Sequence, residues 1–136
     1  MSELTATTQD NFASTRARLT TALTEQGYGV LTRIDLRTTL HEKLGVEHEA
    51  HEFLGVCNPH LAHQALTIDP DVALLLPCTI TLRDVDGATE VHILDPERAF
   101  TLAAAATRDA LEPLAHEVRS RLEAVLAATV TDRTAS

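Results

Sequence analysis

Tryptophan is absent from this 136-residue chain, which has three phenylalanines and one tyrosine, Tyr28. A core with so few rings must be aliphatic, built from Leu, Val, Ile and Ala, and apolar residues supply 44% of the chain. Lysine is nearly missing too: Lys43 stands alone, arginine provides the other basic side chains, and the net charge is −9. An acidic chain without a basic cluster is a poor binder of phosphate backbones, so no nucleic-acid partner is expected, and anionic membrane surfaces are excluded on the same ground. No apolar run approaches the ~20 residues of a spanning helix, so no membrane partner is expected either. The opening MSELTATTQDNF has neither a positive n-region nor an apolar h-region. The expectation is therefore a cytoplasmic protein, not a secreted one, with its two cysteines reduced.

Motifs are scarce as well. There is no Gly-x-Gly-x-x-Gly, P-loop, Gly-x-Ser-x-Gly, His-Glu-x-x-His or Cys-x-x-Cys, and no motif assigns a cofactor. No repeat, low-complexity linker or break in composition divides the chain, so one domain over 1–136 is expected, with a core at about 10–129 and a frayed TDRTAS tail.

What is present is a legible alternation of elements. ELTATTQ, residues 3–9, alternates weakly and predicts an edge strand. Asp10 or Asn11 caps a helix lined by Phe12, Leu19 and Leu23, which Gly27 stops. YGVLTRID, 28–35, predicts a strand. Asp35 caps a helix over 36–44, with Leu36, Leu40 and Leu44 every fourth residue and Gly45 at its end. HEFLGVC, 51–57, predicts a strand apolar on both faces, with Phe53, Gly55 and Cys57 opposite Leu54 and Val56. A short helix over 59–67 places Leu61, Ala62, Ala65 and Leu66 on one arc and His60, His63, Gln64 and Thr67 on the other. IDPD, 68–71, predicts a turn, and VALLLPCTITLRDV, 72–85, a long strand in which Pro77 demands an edge or bulge. Asp86-Gly87 predicts a hairpin to a strand over 89–94, Asp95-Pro96 opens a helical region, and Leu111, Leu114, Val118, Leu122 and Val125 stripe a helix over 110–129. The order β-α-β-α-β-α-β-β-α predicts an α+β fold: a mixed sheet of about five strands with helices packed on it.

Chemistry is sought in GVCNPHLAHQAL, 55–66. Asn58 and Pro59 start a helix, so Cys57 stands before a helix N-terminus, where unpaired N–H groups and the dipole favour a thiolate. Strand 51–57, helix 59–67 and strand 72–78 resemble a parallel β-α-β unit, which sets Cys57 and Cys78 near carboxyl strand ends, the ligand edge of open α/β sheets. The plain alternative is that both are buried, inert core residues. A Cys57–His60–His63–Cys78 metal set lacks any standard spacing, and the histidines share a polar helix face, so no metal is assigned. His41, His48, His51, His92 and His116 are expected in solvent, and Asp35 and Asp95 are read as helix caps.

The segments GYGVLTRIDLRTTLHEKLG, FLGVCNPHLAHQAL and DPDVALLLPCTITL, with the late Asp-Pro, resemble the family called domain of unknown function 302, over about residues 10–125. The match lies at Gly27, Gly29, Cys57, Asn58, Pro59, Ala62, Pro77 and Cys78, whereas His60 stands outside the family pattern. The resemblance implies a small α+β fold with helices on a mixed sheet and a homodimer, and it supplies no reaction. Three readings follow in order. The first is a small-molecule or cofactor binding module walled by Cys57, Asn58, Pro59, Pro77 and Cys78. The second is a thiol redox protein or thiol enzyme, with Cys57 as nucleophile and Cys78 as its resolving partner. The third is a homodimeric interaction protein with no chemistry.

Overall fold

In the computed structural model, which describes residues 3–130, five strands form one sheet in the order β1-β5-β4-β3-β2. They are β1 (Glu3–Thr8), β2 (Gly29–Asp35), β3 (His51–Cys57), β4 (Cys78–Val85) and β5 (Ala88–Leu94). The helices are α1 (Phe12–Glu25), α2 (Leu36–Leu44), α3 (Pro59–Ile68), α4 (Pro96–Ala99) and α5 (Ala105–Thr129). The α+β class, the five strands and the element order are as expected. The pairing is not mixed: every neighbouring pair runs antiparallel. The β3-α3-β4 segment is therefore no parallel crossover, and the carboxyl-edge rule of open α/β sheets does not apply to it.

Register sorts the side chains. Leu54 pairs with Ile80 and Glu52 with Leu82, while Ile80 pairs with Ile93 and Leu82 with Val91. Strand alternation puts these on the face that carries the buried core. Helix α5 turns Leu111, Leu114, Val118, Leu122 and Val125 into that core, and α1 adds Leu19 and Leu23. Each such side chain contributes roughly 1.5–3 kcal/mol when fully withdrawn from water. The opposite face holds His51, Phe53, Gly55, Thr81, Arg83, Glu90 and His92, and most of these are half-buried.

The caps act as expected. The Asn11 side chain accepts from the Ser14 N–H at 2.8 Å, and Asp35 accepts from that of Thr38 at 3.1 Å. Gly45 ends α2 in the left-handed region, and Asp86 and Gly87 both take positive φ in the two-residue hairpin turn. Residues 131–136, read as a frayed tail, lie outside the described residues.

Two boundaries differ. The apolar run from Val72 is not strand: Pro70–Leu75 forms a 3₁₀ helix, and β4 begins at Cys78, after a cis Leu76–Pro77 bond. The Asp69 side chain caps that 3₁₀ turn by accepting from the Asp71 N–H at 2.9 Å, with Pro70 at its first position. Pro77 thus precedes the strand and interrupts no ladder. Helix α5 starts at Ala105, five residues before the expected start. Its opening turn is mostly exposed, so it carries no apolar signal.

Candidate functional site

The site is built where β3 hands over to α3. Asn58 is buried and caps α3: its Oδ1 accepts from the His60 N–H at 3.1 Å and the Leu61 N–H at 3.2 Å. Its Nδ2 donates to the Gln26 carbonyl at 3.2 Å, and the Arg121 guanidinium donates to the same oxygen at 3.0 Å. One asparagine therefore ties the start of α3 to the end of α1. Gly27 makes room for this. Its φ is +84°, and a Cβ there would lie 3.0 Å from the Asn58 Nδ2.

Tyr28 follows, only 4% exposed. Its ring, Cys57, Asn58 and Cys78 border a cavity of about 20 Å³. The remaining wall is apolar: Val56, Leu61, Ala62, Ala65, Leu76, Phe100, Leu114 and Val118. Of the expected site residues, Cys57, Asn58 and Cys78 are brought together here, whereas Pro59 and Pro77 do not line the cavity. The Pro77 ring instead lies against Gly55, where a Cβ would come within 2.7 Å of its Cγ.

The antiparallel register still brings the cysteines to one end of the sheet, because Val56 pairs with Cys78. Both residues border that one cavity, and the two thiols are close enough to influence each other electrostatically. Both cysteines are free.

The electrostatics run against the expected thiolate. Burial pushes the Cys57 thiol up, and burial together with the neighbouring Cys57 pushes Cys78 up to about 11. Tyr28 is also raised, chiefly by burial and then by Cys78, with Arg121 pulling the other way. At neutral pH the cavity therefore presents O–H and S–H groups and no ionised side chain.

Tyr28 is the feature that sequence reasoning missed. Among the described residues its hydroxyl is the one buried side-chain polar atom without a hydrogen-bond partner. The available signal was its position: the single tyrosine, directly after a helix-stopping glycine. Glu52 was missed as well. It is 3% exposed on β3 and is held by Arg16 at 2.6 Å and by Arg33 at 2.6 and 3.1 Å.

His60 and His63 are exposed on α3, and among the described residues no three His, Cys, Asp or Glu side chains converge on a metal position. His41 and His116 are exposed as expected. His48, His51 and His92 are not in open solvent: all three are half-buried. The His48 Nε2 and His51 Nδ1 lie 3.2 Å apart, and His92 contacts Glu90 at 3.2 Å. Asp95 is a cap, as expected, but a buried one that is ion-paired to Arg119. No helix among the described residues is long and apolar enough to cross a membrane.

Fold and corner together define a class: a small α+β domain with an antiparallel sheet and an uncharged cavity at a capped strand-to-helix junction. The model of the family described as Domain of unknown function DUF302 matches residues 4–129, and the chain belongs to that family. The match reaches beyond the span expected from sequence and takes in β1. The chain is also similar to the crystal structure of an uncharacterized conserved DUF302 protein from Bacillus stearothermophilus. The TM-score is 0.86 at 26% identity, over 96% of this chain and 99% of that one. No curated protein matches the chain.

Proposed function

We propose that the chain is a one-domain binding module for a small molecule, with its site in the cavity bordered by Tyr28, Cys57, Asn58 and Cys78. The observation that carries this reading is the Tyr28 hydroxyl, buried without a partner on a residue that borders that cavity. An unsatisfied buried donor costs about 1–3 kcal/mol, and a bound group that accepts from it recovers the loss. The raised thiols argue against the redox and nucleophile reading, which needs a thiolate near neutral pH. The two unbridged cysteines fit a reducing cytoplasm.

The test is thermal stability of the native protein against a metabolite panel, repeated on Ala62→Leu, which fills the half-buried cavity wall. A ligand at about 100 times its Kd stabilises by roughly 2.7 kcal/mol. The expected result is a stabilising compound whose effect disappears in Ala62→Leu. A panel that leaves both proteins unmoved, with no extra mass on the natively purified chain, removes the reading.

One observation favours a second property alongside binding, association of two copies. β2 is an edge strand, and Val30 and Leu31 on it and Leu44 on α2 are exposed, Leu31 by 67% and Leu44 by 69%. No residue of α2 is buried. An uncovered edge with apolar side chains is a ready template for pairing with another chain.

A further inference from the structure

The cavity's shape and donors point further, to a ligand class, in an argument that rests on the binding reading above. We propose that it takes the uncharged, hydrogen-bond-accepting tip of a slim apolar molecule, such as a carbonyl oxygen on an aliphatic stem, with that oxygen on the Tyr28 hydroxyl.

Size sets the first limit. About 20 Å³ is room for one water-sized group, so only the end of a ligand enters. The stem leaves past Cys57, Ala62 and Leu76, which are half-buried. Apart from Tyr28 and Asn58 the wall is apolar or thiol, so the stem is apolar too.

Charge sets the second limit. No ionised side chain borders the cavity. The nearby Arg121 is engaged by the Gln26 carbonyl and by Glu117, each at 3.0 Å. The Asn58 oxygen already accepts two backbone N–H groups. A carboxylate or phosphate would enter unpaired, and an unpaired buried charge is far costlier than a neutral oxygen. Tyr28 is held in its protonated form by burial, so it offers a donor. The Cys78 thiol is likewise kept as S–H. A single ordered water is the competing occupant, since Tyr28 and the thiols could hold one.

The chain carries its own reporter. With one tyrosine and no tryptophan, its near-ultraviolet emission comes from Tyr28 alone. The full-length native protein is titrated at pH 7.5 with heptan-2-one and, separately, with heptanoate. The expected result is a saturable change in Tyr28 emission with the ketone, at least tenfold tighter than with the carboxylate. Calorimetry on Tyr28→Phe should show about fivefold weaker ketone binding, the worth of one net hydrogen bond. Heptanoate binding as tightly as the ketone overturns the ligand class while leaving a binding cavity in place. Ketone binding unchanged in Tyr28→Phe overturns the role of the hydroxyl. If neither probe moves Tyr28 and ketone-soaked crystals hold only a water on its hydroxyl, both the class and the binding reading fall.

Discussion

Glu52 carries a buried charge that two arginines from different elements must match. Arg16 comes from α1 and Arg33 from β2, and their side chains are 30% and 50% exposed. The pairing is asymmetric: freed arginines regain water, whereas a freed Glu52 does not. Arg16→Ala with Arg33→Ala should cost about 3–5 kcal/mol in urea unfolding, because it leaves the carboxylate buried and unpaired. Glu52→Leu should cost clearly less. Equal losses would mean that the carboxylate is hydrated. The half-buried His51 makes a pH prediction. Burial first, then the charge of His48, holds its pKa below the ordinary value. The unfolded chain therefore binds the proton more readily. Stability should be complete above about pH 6.5 and fall as pH drops below that toward the depressed folded value. In His51→Gln the urea midpoint should depend less on pH between 7.5 and 5. An unchanged slope would assign the effect to other groups.

Elements meet through contacts that a single strand or helix does not announce. Gly55 is one, since a Cβ there would also come within 2.7 Å of the Thr32 Cγ2 on β2. Gly55→Ala should therefore destabilise by about 1–3 kcal/mol, the cost of overpacking, read as a lower denaturant midpoint with unchanged slope. A neutral result would mean that the Pro77 ring moves aside freely. The elements themselves were largely legible. Asn11, Asp35, Asn58 and Asp95 were all readable as caps, and the α5 stripe named five residues that are all turned into the core. The 72–75 segment is a 3₁₀ helix where a strand is expected, because a run of Val, Ala and Leu has no period that separates the two. The deciding signal is Asp69-Pro70, the same cap-and-proline pair that opens a helix at Asp95-Pro96.

For the whole molecule, the open question of assembly turns on the β2–α2 edge. If two copies associate there, sedimentation should find a dimer that Leu31→Glu converts to a folded monomer, since the introduced charge would be buried at the contact. A monomer at all concentrations, or a dimer indifferent to Leu31→Glu, removes that edge as the interface. By itself the sequence determined the α+β class, the element order, most caps, the aliphatic core stripe and the corner at Cys57-Asn58-Pro59, because these depend on local propensity and periodicity within one segment. Only the tertiary structure decided the antiparallel sense of β3 and β4, the burial of Glu52 between two arginines, the half-buried histidines and the unpartnered Tyr28 hydroxyl beside two raised thiols. Each of these depends on which distant segments meet and how much water remains between them, and no single stretch of chain encodes that.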